Sequence, residues 1–355
     1  MQPRDLSSHA AYVPGRGHEE VARELDLDPT QLLTLASNEN ALGPSPNAIA
    51  AIEATAAIVH RYPKATHTDL TAALADRWGV EPAQIWLANG GDGAIDYLSR
   101  AFLEPGDGIL VPEPGFAYYA MSARFHHGRV RTYPVPIERD FAIDPSPILV
   151  SYDGQRMIYL TSPHNPSGST IEPAAVIELA DQLEETLIVV DEAYGEFSDI
   201  ESVIPHLGDV ENVASIRTFS KAYGLAGLRL GYAVVPAEWA AAYAQVNTPF
   251  SASEIACRAG LAALDDTEHV DRSVATATRS RNIMRTNLAM RTWPSQANFV
   301  LADVDDASRV TAALESRGIL VRDCSSFGLP SCIRITCTTS EDTRTVVEAV
   351  NDEWE

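Results

Sequence analysis

Between about residues 70 and 235, short aliphatic and β-branched runs alternate with stretches whose apolar positions recur every three or four residues. QIWLA (84–88), GILVP (108–112), MIYLT (157–161), LIVVD (187–191) and VASIRTF (213–219) read as strands. Several are apolar at nearly every position, as strands covered on both faces of a parallel sheet are. A helix is predicted over 92–102, where Ile95, Leu98 and Phe102 share one face, and another from Pro173 to about residue 185. Proline suits a first helical position because its missing N–H would have had no partner there. This βαβ rhythm predicts an α/β fold with a mostly parallel sheet flanked by helices.

After about residue 250 the pattern changes. Helical periodicity through 256–264 and 270–288 is followed by FVLADV (299–304), a helix at 307–316, GILVRD (318–323), CIRITC (332–337) and a closing helix with Ser340 as its expected cap. That order predicts a smaller α+β C-terminal domain. The first 40 residues, punctuated by Pro and Gly, read as an arm carrying a helix at 19–25. The expected division is an arm and part of the small domain at 1–40, a large domain at 41–250 and a small domain at 251–355.

Charge narrows the function classes. The 355 residues carry a formal net charge of −23, a field that repels nucleic acid and anionic membranes, so neither is expected as a partner. The chain has only two lysines, Lys64 and Lys221, among 26 basic residues. Scarce lysine with abundant carboxylates suits a protein that works in high salt, where repulsion is screened within a few ångströms. A GC-rich coding preference produces the same exchange of Lys for Arg. No apolar run approaches the roughly 18–20 residues of a membrane span, and MQPRDLSSHA lacks the apolar core of a secretory leader. Cys257, Cys324, Cys332 and Cys337 form no CxxC pair, which predicts a reducing, cytoplasmic setting and no zinc site. Adjacent His126 and His127 have no evident third ligand and read as surface, so no metal is expected.

In open α/β sheets ligands sit beyond the carboxyl ends of the strands. NGGDGAID (89–96) there opens a helix with free N–H groups, an anion site. SPHNPSG (162–168) supplies Asn165, DEAY (191–194) supplies Asp191, and TFSKAYGLAGLRLGY (218–232) supplies Ser220, Lys221 and Arg229. Each alone is ordinary. Together they describe one convergent site holding an anion nest, an amide, a carboxylate and a lysine–arginine pair.

This constellation resembles the fold-type I enzymes that use pyridoxal 5′-phosphate. Within that group it is most similar to the histidinol-phosphate aminotransferase family. The likeness runs through YVPGRGHEEVARE (12–24), SNENALGPSP (37–46), RYPKA (61–65), PEPGFAYY (112–119), VVDEAYGEF (189–197), ILVRD (319–323) and CIRIT (332–336), besides the strand-end motifs. It implies that Lys221 bonds the cofactor aldehyde and later carries the proton, a task that needs a primary amine which arginine cannot supply. It also implies that Asp191 pairs with the pyridine nitrogen, that Asn165 and Tyr194 bond the ring hydroxyl oxygen, and that Phe116 stacks on the ring. Arg229 and Ser220, with the amides of Gly91 and Asp92, are implied to hold the phosphate. Tyr62 would reach that phosphate from a second subunit, so a homodimer with shared sites is implied.

For the substrates, histidinol phosphate and glutamate/2-oxoglutarate, the resemblance implies Arg334 for both acid groups and Arg322 as a second cation for the phosphate. Tyr12 and Asn40 complete the implied substrate set. The chain departs from the family where His164 replaces the first Asn of NNP, where Gly93 replaces an acid, and where ENP becomes Glu39-Asn40-Ala41. A threonine-phosphate decarboxylase or a broad aromatic aminotransferase would share most of these motifs, and a ligand sensor with dead chemistry is opposed by the intact Lys221, Asp191, Asn165 and Arg229.

Overall fold

The computed structural model describes residues 6, 9, 18–25, 28, 29, 32–64 and 67–354; Tyr12 lies outside the described residues. Eleven strands form two sheets among them: β1 (Leu33–Leu35), β2 (Ile85–Ala88), β3 (Gly108–Glu113), β4 (Arg129–Pro134), β5 (Met157–Thr161), β6 (Leu187–Asp191), β7 (Val213–Thr218), β8 (Gly231–Val234), β9 (Phe299–Asp303), β10 (Ile319–Asp323) and β11 (Cys332–Thr336). The larger sheet has the order β2-β8-β7-β6-β5-β3-β4, and the smaller β1-β10-β11-β9. β7, β6, β5, β3 and β4 pair in parallel, whereas β8 runs antiparallel to both of its neighbours.

The apolar runs are continuous because both faces of the larger sheet are covered. On β5, Ile158 and Leu160 join one apolar cluster while Met157 and Tyr159 join another, and β6 divides Ile188 and Val190 from Leu187 and Val189 in the same way. A two-residue period thus feeds two cores at once. The smaller sheet has its own cluster, in which Ile333 and Ile335 of β11 pack with Phe299 and the closing helix residues Val346 and Val350.

Three strands went unanticipated. β1 has only three residues and β8, although buried throughout, only four, too few to mark a strand; β4 is an edge strand whose RVRTYP is mostly exposed. The helix that starts at Pro173 ends at Gln182, short of 185, because Leu183 leaves the helical region at φ −128° and ψ 50°. Ser340 is not the cap of the last helix but its first residue; the Thr339 hydroxyl accepts the Asp342 N–H at 3.2 Å and performs that role.

Candidate active site

The parallel register brings Thr161 of β5 beside Asp191 of β6, and Asp191 beside Ile216 of β7, so the chemistry-bearing strand ends lie side by side. Asp191 closes β6 with its side chain 6% exposed. Its Oδ2 accepts the Tyr119 hydroxyl at 2.6 Å and its Oδ1 accepts the Ala193 N–H at 3.0 Å. Burial pushes its pKa up to about 6, against the pull of those two hydrogen bonds. Glu192 engages other partners. It accepts the Ser202 and Ser215 hydroxyls, each at 2.6 Å, and lies 3.5 Å from Arg217.

Lys221 follows β7. Its Nζ donates to the Ser37 carbonyl at 2.9 Å and lies 5.7 Å from the centre of the Tyr194 ring. Burial, reinforced by the Arg334 guanidinium, lowers its pKa to about 8. An amine so poised is neutral far more often near pH 7 than an ordinary lysine.

The Gly90–Phe102 helix points its N-terminus at the same place. Arg229 lies against it, with Nη2 3.0 Å from the Asp92 carboxylate. Gly90 has φ +77°, and a Cβ there would stand 2.8 Å from Arg229 Nη2; a Cβ on Gly231 would stand 2.5 Å from the Gly90 carbonyl carbon. Both glycines are therefore required for helix, strand and arginine to close up. Ser220 Oγ accepts the Thr218 hydroxyl at 3.0 Å, and Phe116 meets Tyr119 edge-on at 5.5 Å.

The smaller sheet supplies cations. Arg334 of β11, 5% exposed, donates through Nη1 to Asn165 Oδ1 and through Nη2 to the Ala36 carbonyl at 2.8 Å. Arg322 of β10 is its cross-strand partner. The Phe327 ring lies 5.8 Å from the Arg322 guanidinium and 5.9 Å from that of Arg334.

Two expected residues sit differently. Asn40 is held by nearby groups: its amide donates to the Ala222 carbonyl at 2.7 Å and Ser273 Oγ at 2.9 Å, and its Oδ1 accepts the Leu42 N–H at 2.9 Å. The bond to Leu42 shapes a turn. Tyr62 is 83% exposed and stacks on Phe250 at 4.8 Å, so within one chain it does not close the site. His164, the departure from NNP, is fully buried. Its Nδ1 lies 2.8 Å from Ser167 Oγ and its Nε2 3.0 Å from the Pro114 carbonyl, and burial lowers its pKa to about 4. A neutral ring there ties the Asn165 loop to the Phe116 loop. Sequence reasoning missed Tyr119, Asn38 and Phe327. Tyr119 stands three positions after Phe116, a helical spacing that was available as a signal; the other two carried none.

The chain matches the model of the class I and II aminotransferases over residues 30–350. The chain belongs to that family. A histidinol-phosphate aminotransferase from Haloarcula marismortui is 60% identical over 99% of this chain and 98% of its own, and one from Haloferax volcanii is 59% identical over the same shares. A solved histidinol-phosphate aminotransferase from Sinorhizobium meliloti, in complex with pyridoxal 5′-phosphate, superposes with a TM-score of 0.89 at 29% identity, covering 99% of this chain and 97% of that one. Pyridoxal 5′-phosphate is the cofactor of this aminotransferase. The donor set fits it: a buried carboxylate for a protonated ring nitrogen, an amine of lowered pKa for an aldehyde, and a helix N-terminus with an arginine for a phosphate. Among the described residues no helix is long and apolar enough to cross a membrane.

Proposed function

We propose that this aminotransferase moves an amino group between L-histidinol phosphate and 2-oxoglutarate, running in histidine biosynthesis from imidazole acetol phosphate and L-glutamate. The observation that carries this reading is the arginine pair in register on β10 and β11, on the same small sheet whose Arg334 bonds Asn165. A phosphate dianion calls for two cations; a carboxylate is served by one. The relatives in halophilic archaea, at about 60% identity, support the same substrate.

When bound, pyridoxal 5′-phosphate supplies an aldehyde and an electron-accepting ring. The chain supplies the rest. Lys221 is the nucleophile and then, as a free amine of lowered pKa, the carrier of the substrate's α-proton. Asp191, held by Tyr119 and Ala193, keeps a negative charge against the ring nitrogen. Asn165 and Tyr194 would bond the ring hydroxyl oxygen, Phe116 would stack on the ring, and Arg229 with Ser220 and the first amides of the Gly90–Phe102 helix would hold the phosphate. Arg334 takes the substrate's acid group in both half-reactions and Arg322 adds to it for the phosphate.

A second copy completes the site in this reading. Leu42, Ile49, Val59, Tyr62 and Phe250 are large apolar side chains from 36% to 83% exposed, on segments joined by the Tyr62–Phe250 stack. A homodimer buries them and delivers Tyr62 to the partner's phosphate site. Residues 41–250 form the large domain and 251–355 the small one, with 1–40 an arm whose β1 joins the small sheet. The protein works in the cytoplasm of a salt-adapted cell, consistent with four free, buried cysteines and a net charge of −23. Addition of L-histidinol phosphate to the purified, cofactor-loaded protein tests the function. The cofactor's absorbance shifts to that of its amine form and returns on addition of 2-oxoglutarate. No shift, or release of carbon dioxide from a phosphoamino acid instead, rejects it.

A further inference from the structure

Asn38 is 1% exposed and sits in the left-handed region at φ +56°, where an asparagine is tolerated better than most residues. Its polar groups all have neighbours, although the single proton of the Thr336 hydroxyl goes chiefly to the Leu35 carbonyl at 2.7 Å. The Asn38 N–H donates to Thr336 Oγ1 at 3.0 Å, and its carbonyl accepts the Asn298 amide at 3.0 Å. Its Oδ1 lies 3.2 Å from the Thr336 hydroxyl, and its Nδ2 donates to the Tyr194 hydroxyl at 3.0 Å. The residue is thus pinned by β11 and by the approach to β9, and offers one group, an amide N–H, to the larger domain's tyrosine.

An amide nitrogen only donates. The Tyr194 oxygen therefore accepts from Asn38, and its own proton is directed away from Asn38. A hydroxyl that accepts a hydrogen bond also becomes a stronger donor. The neighbours of Asn38 add a second link. Ala36 accepts from Arg334 and Ser37 accepts from Lys221, so three consecutive residues touch the substrate arginine, the catalytic lysine and the tyrosine.

We infer that Asn38 is a positioning residue: it aims the Tyr194 hydroxyl at the cofactor's ring hydroxyl oxygen, and through Thr336 it ties that aim to the strand carrying Arg334. This rests on the role given to Tyr194 above. The charged groups facing this corner are Lys221, over the Tyr194 ring, Asp191 at the end of β6, and Arg334, which packs on Phe299, itself edge-on to Tyr194 at 5.1 Å; Glu39, Asp92 and Arg229 also act on Lys221. Nothing in the SNEN motif distinguishes Asn38 from Asn40; the backbone conformation and the bond to Thr336 do.

The test compares Asn38→Asp, which keeps the shape and lacks the donor, and Asn38→Gly, which keeps the left-handed backbone, with Tyr194→Phe and both double variants. The affinity of each apoprotein for pyridoxal 5′-phosphate is read by fluorescence, and the pH midpoint of the bound cofactor's absorbance by titration. Each Asn38 variant is expected to weaken cofactor binding about tenfold, the effect of one lost hydrogen bond in a buried site, and to move the midpoint in the same direction as Tyr194→Phe. In the Tyr194→Phe background the Asn38 substitutions are expected to add nothing to either readout. Equal losses in both backgrounds would make Asn38 purely structural and overturn the inference. If Tyr194→Phe itself left affinity and midpoint unchanged, the role of Tyr194 would fall and Asn38 with it. Melting of the apoproteins identifies any variant that fails to fold, in which case the other Asn38 variant decides.

Discussion

Asp191 and Arg334 are almost equally buried, at 6% and 5% exposed, yet their charges are held in different ways. Asp191 takes its hydrogen bonds from its own loop and from Tyr119 of the helix Ala117–Phe125. Arg334 takes its partners from elsewhere in the chain, the Asn165 amide oxygen and the Ala36 carbonyl, and it packs against the Phe299 and Phe327 rings. The contrast fits the roles proposed for the two residues. A cofactor that stays suits a carboxylate fixed between a strand end and the helix packed on it. Substrates that come and go suit a guanidinium resting on neutral oxygens, which an incoming anion can replace at a gain in charge complementarity.

The largest expected effect lies on the fixed side. Lys221→Ala removes both nucleophile and proton carrier, and turnover falls by about three orders of magnitude or more. Borohydride fixes the cofactor to the native chain at Lys221 and leaves the variant unlabelled. Lys64, whose Nζ is paired with Asp69 at 2.8 Å on the surface, is the only alternative lysine, so labelling there would defeat the assignment.

The exchanging side gives the next effect. Arg334→Ala weakens glutamate and histidinol phosphate alike, by about 10- to 100-fold, the scale of a lost charge-assisted hydrogen bond. Arg322→Ala raises the apparent KM for histidinol phosphate by a similar factor and leaves glutamate nearly unchanged. Both half-reactions, followed separately through the cofactor's absorbance, separate the two arginines. Equal losses for both substrates in Arg322→Ala would make it a structural arginine and move the choice of substrate to the arm.

The fixed side also sets a pH profile. Lys221, lowered to about 8, is protonated below that pH, and Asp191, raised to about 6, is ionised above that one. Capture of pyridoxal 5′-phosphate by the apoprotein therefore rises about tenfold per pH unit between 6 and 7 and levels above about 8. Stopped-flow absorbance checks this. A rate still climbing at pH 10 would mean that the amine is an ordinary one.

The smallest effect per site, though it involves the whole surface, is screening. With a net charge of −23, the melting temperature rises by several degrees or more between dilute and molar KCl. A melt indifferent to salt would leave the acidic composition without a stabilising role in brine.

Much of the larger domain was legible from local pattern. The runs ending at Thr161, Asp191 and Thr218 are strands because their residues are apolar on both faces, and the polar residue after each run lies at the site because parallel strands share a carboxyl end. The edge strand β4 escaped because it remains mostly exposed to water, and β1 because three residues are too few to show a period. Lys221 stood out chemically, being one of two lysines in the chain.

The sequence by itself therefore determined the order of elements, the sheet-end position of Asn165, Asp191 and Lys221, and the class of chemistry they serve, since period and residue type are local properties. Only the tertiary structure decided that the two asparagines of SNEN have different surroundings. Asn38 and Asn40 have the same side chain two residues apart, and what separates them is contact with Thr336, Tyr194, Ala222 and Ser273, between 156 and 298 positions away along the chain. It likewise decided that Arg322 and Arg334 stand opposite one another, because an antiparallel register is set by the packing of two strands and not by the composition of either.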